Sequence, residues 1–194
     1  MSALSSIRTR LVQMEVTPGQ PVANTSRMLE QIRIARTDKV QLLVFPEMAI
    51  PGYLIGDEWE RSSFLRECTQ CVDEIRAASG GLVVLFGCVA VDDRRKNEDG
   101  RVRKYNALFV ADDGRLVGPE SGPYPFAIKA LLPNYREFDD SRHFYDLRKL
   151  AAEQQKSVAD LTTPVRTRLG ALGCALCEDA WNGDYDFSPL DQLV

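Results

Sequence analysis

The segment GALGCALCEDAW, residues 170 to 181, carries two thiols and then two carboxylates, in a chain with five cysteines and one histidine. A thiol becomes a nucleophile only when something takes its proton, and histidine is the usual acceptor. Side chains of an extended strand alternate faces, so Cys174 and Cys177 point to opposite sides if one strand runs through both. They are not expected to act as a pair. The CxxC spacing recurs at Cys68 and Cys71, and two such knuckles can hold zinc. Here the pairs stand about a hundred residues apart, whereas zinc-binding pairs are usually separated by about 15 to 20. The first pair also lies in an amphipathic stretch without a knuckle glycine, and no metal site is expected.

Free cysteine is among the most buried residue types, so Cys68, Cys71, Cys88 and Cys174 read as structural thiols. Cys177 differs because it ends an apolar stretch and is followed at once by Glu178, Asp179 and then Trp181. That order puts it on a turn at a strand's carboxyl end, where ligands of α/β sheets collect. Two acceptors for its proton stand open. His143, in SRHF, serves equally well as a packing histidine. Glu47 follows the apolar LLVFP and precedes MAIPGY, an odd setting for a solvated glutamate. A water-poor pocket would keep its pKa in the working range, although burial statistics alone favour a surface carboxylate. Lys129, in PYPFAIKALLPNYREF, has apolar neighbours on both sides. An ammonium held in a pocket stabilises the oxyanion formed when a thiolate attacks an amide, while the plainer reading is a lysine snorkelling from apolar surface.

These residues must be positioned by the elements between them. RLVQMEV, residues 10 to 16, alternates as a half-buried strand. A helix follows, capped near Asn24 or Thr25, with Met28, Ile32 and Ala35 on one face. The run from Leu42 to Phe45 reads as a buried strand that closes at Pro46, completing a β-α-β unit. A second helix over residues 62 to 78 gathers Phe64, Cys68, Cys71, Val72, Ile75 and Ala78 on one face and stops at Gly80 and Gly81. The phrase SGGLVV is superficially like the start of a pyrophosphate loop, but the polar residues expected next are Leu82, Val83 and Val84, so it reads as a helix stop. LVVLFGCVAV then forms a strand. Asp113 and Gly114 signal a hairpin, repeated more weakly by Asp99 and Gly100. Residues 119 to 144 are loop-rich, residues 146 to 160 read as a polar helix on the surface, and RTRLGALGC starts a further strand towards Cys177.

The 194 residues fit one domain with a sizeable core, and 44% hydrophobic with 27% charged residues is ordinary globular usage. A net charge of −4 with scattered basic residues gives no footprint for nucleic acid or an anionic membrane. No apolar run is long enough to span a bilayer and no signal peptide is evident. An odd number of cysteines in apolar segments suits reduced thiols. A cytoplasmic protein acting on a small or protein partner is expected.

Taken in order, FPEMAIPGY, KALLPNYREF and ALCEDAW resemble the carbon-nitrogen hydrolase, or nitrilase, superfamily. The resemblance implies an α/β fold, a nitrilase-like α-β-β-α sandwich, occupying residues 1–194 as a partial domain that is incomplete at the C-terminus. It implies a triad of Glu47 as general base, Lys129 as oxyanion stabiliser and Cys177 as nucleophile. Glu137 would orient the lysine and substrate, and Tyr135, Glu178 and Trp181 would be further substrate-orienting residues. LPNYREF, RHF and CED followed by tryptophan look most like the glutaminase domains of glutamine-dependent NAD synthetases. By that likeness the domain hydrolyses glutamine and passes ammonia to a synthetase domain that amidates deamido-NAD. ATP and magnesium would belong to that other domain, and none is expected here. An amidase on another small amide or nitrile, or a silent interaction module, are the alternatives. An unfinished sheet would expose an edge, so homo-oligomers are expected.

Overall fold

The computed structural model describes residues 6–193. Strands β1 (Thr9–Leu11), β2 (Leu42–Val44) and β3 (Val83–Lys96) lie parallel in that order, and β4 (Val102–Asp112) runs antiparallel to β3. The far side of β4 pairs with β5 (Arg115–Val117) near one end and with β6 (Ala127–Ile128) nearer the middle. This is one six-stranded mixed sheet. The parallel pairs need crossovers, and α1 (Pro21–Thr37) and α2 (Ser62–Ala78) supply them and pack against each other.

The expected α2 has the observed bounds. Phe64, Leu65, Cys68, Cys71, Val72 and Ile75 form its buried face, and Gly81, in the left-handed region at φ +76°, reverses the chain after it. Ser79 caps the end twice: its hydroxyl donates to the Arg76 carbonyl and accepts from the Gly114 amide. The Asp113–Gly114 hairpin joins β4 to β5 with both residues left-handed, at φ +51° and +84°, the conformation that Asp-Gly turns favour.

Four expectations change. β1 stops at Leu11, far short of residue 16, and Leu11 is 77% exposed at the sheet edge. α1 begins at Pro21, whose missing N–H costs nothing in a first turn. Asn24, expected as its cap, lies inside the helix, where its side-chain amide donates to the carbonyls of Thr17 and Ile50. Residues 146 to 160 form two short helices, α4 (Leu147–Glu153) and α5 (Val158–Leu161), after the single turn α3 (Asp140–His143). Gln155 at φ +55° breaks the run, and Ser157 with Asp160 builds a new capping box. Leu147, Leu150, Ala151 and Leu161 are buried, so the segment is docked into the core. Finally, RTRLGALGC folds back on itself as the hairpin β7 (Val165–Thr167) and β8 (Gly170–Leu172). No strand runs on through Cys174 to Cys177, so alternation does not set their directions.

Candidate active site

Glu47 sits just beyond the carboxyl end of β2, on a loop that lies directly against β3. Gly87 permits that approach: a Cβ there would stand 2.3 Å from the Met48 nitrogen and 2.6 Å from the Glu47 Cα. The Gly87 amide donates to the Pro46 carbonyl at 3.1 Å, and Met48 turns the loop away at φ +49°. Lys129 directly follows β6, and its main-chain N–H donates to the Asn106 carbonyl of β4 at 2.9 Å. Cys177 opens a 3-10 turn (Cys177–Ala180), itself at φ +41°. Left-handed backbone at a non-glycine residue is costly and collects at functional sites.

Asp179 locks that turn to the lysine segment. Its Oδ1 accepts from the amides of Ala130 and Leu131 at 3.0 and 2.9 Å, and its Oδ2 accepts from the Leu176 amide at 3.1 Å. Burial pushes the Asp179 carboxyl up to about 6, against the opposing pull of those three N–H groups.

Glu47, Lys129 and Cys177 line one cavity of about 540 Å³, together with Tyr53, Tyr135 and Glu178. Lys129, 1% exposed, donates to Glu47 Oε1 at 2.7 Å and to the Tyr53 hydroxyl at 3.2 Å. Its Nζ is 3.5 Å from Asp140 Oδ2, which in turn accepts from Tyr53 at 2.6 Å. Asn106 Nδ2 donates to Glu47 Oε1 at 2.8 Å. Burial alone would lower the Lys129 ammonium, but the Glu47 and Asp140 carboxylates more than offset it and hold the pKa raised. Burial raises the Asp140 carboxyl, which Tyr53 and Lys129 partly counter. Burial and then the Glu47 carboxylate push the Cys177 thiol up, with Lys129 pulling the other way. A thiol in that setting is held as S–H and needs a base to react.

The other thiols are of a different kind. Cys68, Cys71 and Cys88 are at most 2% exposed. Burial raises Cys71 and Cys88, and pushes the part-buried Cys174 up to about 11. Among the described residues, no group of three or more His, Cys, Asp or Glu side chains is placed to hold a metal ion.

Of the two acceptors left open by the sequence, Glu47 shares the cavity with Cys177. His143 is buried elsewhere, with Nδ1 3.3 Å from Glu60 Oε1. Tyr135 donates to Glu178 Oε2 and Tyr185 to Glu178 Oε1, both at 2.9 Å, so Glu178 is 5% exposed yet satisfied on both oxygens. Trp181 stands at the rim, 74% exposed. Glu137 is not brought to the lysine. The loop turns at Arg136, φ +53°, and leaves Glu137 exposed, while Asp140 at the start of α3 reaches Lys129 instead. Tyr53, Asn106, Asp140 and Asp179 were not anticipated. Asn106 carried a signal, an amide inside the apolar strand YNALFVA, because such a group must find partners once buried.

The family model described as carbon-nitrogen hydrolase matches residues 8–185. The glutamine-dependent NAD(+) synthetase of Thermotoga maritima is 30% identical over 181 residues, which span 92% of this chain and 27% of that protein. The enzyme of the same name from Xanthomonas campestris is 30% identical over 91% of this chain and 28% of its own length. The chain thus spans about a quarter of the length of these relatives. Among solved structures, a glutamine-dependent NAD+ synthetase from Acinetobacter baumannii superposes with a TM-score of 0.59 at 28% identity, over 72% of this chain and 24% of the other. An amidase from Nesterenkonia sp. shares the fold at a TM-score of 0.57 and 17% identity, over 72% of this chain and 48% of its own. With the family model spanning nearly the whole chain and the α/β fold common to both neighbours, the chain belongs to the carbon-nitrogen hydrolase family.

Proposed function

We propose that the domain hydrolyses the side-chain amide of glutamine, with Glu47 as general base, Lys129 as oxyanion stabiliser and Cys177 as nucleophile. One observation carries the reading: a buried ammonium, Lys129, held at 2.7 Å on the part-buried Glu47 carboxylate, faces the cavity that the one exposed thiol also lines. Glu47 takes the Sγ proton as the sulfur attacks the amide carbon. The negative charge moves to the amide oxygen, where Lys129 Nζ and the main-chain N–H after Cys177 stabilise it. Collapse breaks the C–N bond as Glu47 returns the proton to nitrogen, releasing ammonia and leaving a thioester. Water then attacks the thioester, again giving its proton to Glu47. The thiolate leaves, recovers a proton, and glutamate departs.

The Glu178 carboxylate, presented by Tyr135 and Tyr185, suits the α-ammonium of glutamine, and Trp181 would cover it. Asp140 takes the orienting role first assigned to Glu137. The named activity of the relatives supports passing ammonia to an ATP-dependent synthetase domain acting on deamido-NAD.

Ammonia release from glutamine, compared with a panel of small amides, tests the assignment. Cys177→Ala is expected to abolish turnover and Glu47→Gln to reduce it at least a hundredfold, while Lys129→Ala loses about 10²- to 10³-fold, as expected for an oxyanion donor. Preference for another amide would replace glutamine as substrate. Full turnover in Glu47→Gln would remove the triad.

A further inference from the structure

The inference concerns how the base is aimed, and it rests on the hydrolysis proposed above. Both hydrogen bonds received by the Glu47 side chain end on the same oxygen, Oε1: Lys129 Nζ at 2.7 Å and Asn106 Nδ2 at 2.8 Å. Neither of these two donors reaches Oε2. An oxygen that accepts two donors, one of them charged, is the poorer proton acceptor of the pair, because both bonds stabilise negative charge on it. The unbonded oxygen is left to take a proton.

We infer that Asn106 is a positioning residue for this reaction: its amide, with Lys129, pins Glu47 Oε1 and leaves Oε2 as the oxygen that takes the Cys177 proton. Asn106 is 1% exposed and lies within β4, opposite Val89 of β3, so its own place is set by strand pairing with β3. Its main-chain carbonyl fixes Lys129 through the 2.9 Å bond from that residue's amide. One residue therefore registers both charged partners, the base through its side chain and the lysine through its backbone. The amide can face only one way, since turning it over would set its oxygen against the Glu47 carboxylate. Held that way, Asn106 Oδ1 is buried with no hydrogen-bond partner among the described residues. An orphaned buried acceptor lowers stability. Stability alone would favour an apolar residue here, and what the amide provides in return is the donor on Glu47.

The groups around Glu47 that titrate or carry charge are Lys129, Asp140, Tyr53 and Cys177, with Tyr135 and Glu178 lining the same cavity. The Asn106 donor favours the ionised form of the Glu47 carboxylate. Without that donor the acid limb of the rate profile should move to higher pH. Asn106→Asp, almost the same shape, places a second carboxylate beside Glu47 and should move that limb further in the same direction.

The test uses the 194-residue chain and two readouts: the rate at which a glutamine-like electrophile labels Cys177, followed by peptide mass spectrometry, and ammonia release, each across pH. For Asn106→Ala we expect a 10- to 100-fold loss of kcat and of labelling rate at neutral pH, KM within threefold, and a raised acid limb. An acid limb unmoved in both Asn106→Ala and Asn106→Asp, with cooperative unfolding retained, would overturn the inference. Loss of cooperative unfolding in both variants would also count against it, because the residue would then serve the fold. Glu47→Gln separates this inference from the function beneath it. Labelling of Cys177 that is unchanged in Glu47→Gln removes the triad itself, whereas labelling abolished there but unmoved in the Asn106 variants removes only the role of Asn106.

Discussion

Replacing Gly87 with alanine is expected to disable the site while leaving the fold. The position is glycine for space, since the new methyl would stand 2.3 Å from the Met48 nitrogen, 2.6 Å from the Glu47 Cα and 2.8 Å from the Glu47 carbonyl carbon. Ordinary contact begins at 3.4 Å, so backbone must separate by about 1.1 Å. β3 is poorly placed to yield, because it is paired with β2 on one side and β4 on the other. The loop carrying Glu47 is held there by fewer bonds, from the Gly87 amide to Pro46 and from the Ile50 amide to the Gly87 carbonyl. The loop therefore moves. A shift of that size takes the 2.7 and 2.8 Å bonds at Glu47 Oε1 out of range and carries the base away from the thiol. A misplacement of about 1 Å commonly costs about 10²-fold in rate, and overpacking of this kind costs about 1–3 kcal/mol of stability. The assay pairs ammonia release and Cys177 labelling with urea unfolding. Gly114→Ala is the control: its glycine has φ +84° but nothing within 4 Å of a new Cβ, so it should lose about 1 kcal/mol from backbone strain and no activity. Gly87→Ala retaining activity within threefold of the parent would refute the claim that this contact places the base.

Two further outcomes follow from buried groups. Asp179 titrates at about 6 in the fold against 3.8 for an ordinary aspartate. A raised carboxylate contributes stability fully below its unfolded pKa and loses it as pH rises through the folded one, a change of about 3 kcal/mol over this gap. In urea unfolding, the stability of the parent minus that of Asp179→Asn should therefore fall by about that amount between about pH 3.5 and 7, and a constant difference would contradict it. A small thiol reagent should label Cys177 first. Cys68, Cys71 and Cys88, at most 2% exposed, should react only as the chain unfolds, and equal labelling of all five thiols in the native protein would show the core assignment to be wrong.

The parts legible in the sequence are those where one local signal dominates. α2 is amphipathic over its whole length and ends in paired glycines, so both ends were readable. The Asp113–Gly114 turn follows from the left-handed preference of its residues. The illegible parts depend on where a loop turns. Gln155 broke a helix that composition alone would continue, and Arg136 swung Glu137 outward and let Asp140 reach the lysine. Neither residue type announces a left-handed backbone, and the surroundings impose it. The strand expected to deliver Cys177 failed for a different reason: Gly170, at φ +118°, is the register partner that closes the β7–β8 hairpin, a turn that a glycine permits.

A buried ion pair is by itself poor evidence of a site, and this chain contains the comparison that shows why. Lys104, 2% exposed, donates to Glu60 at 2.7 Å and to the Trp59 carbonyl at 2.9 Å, a pair as tight as Lys129 with Glu47. In each pair only the lysine is buried, with Glu60 exposed and Glu47 part-buried. Around Lys104 the departures are two orphaned nitrogens, His143 Nε2 on the ring beside Glu60 and Arg103 Nε, both buried without a hydrogen-bond partner among the described residues. Around Lys129 several departures coincide: a glycine whose absent Cβ admits the Glu47 loop, left-handed backbone at Met48, Leu54, Arg136 and Cys177, an orphaned amide oxygen on Asn106, and a thiol held protonated beside a carboxylate. Among the described residues seven non-glycine positions have positive φ; of these, Leu54 and Cys177 line the cavity, and Met48 and Arg136 are chain neighbours of its lining residues Glu47 and Tyr135, a concentration expected where local rules yield to function. That concentration supports the chemical role proposed for the Lys129 pair and sets it apart from the Lys104 pair.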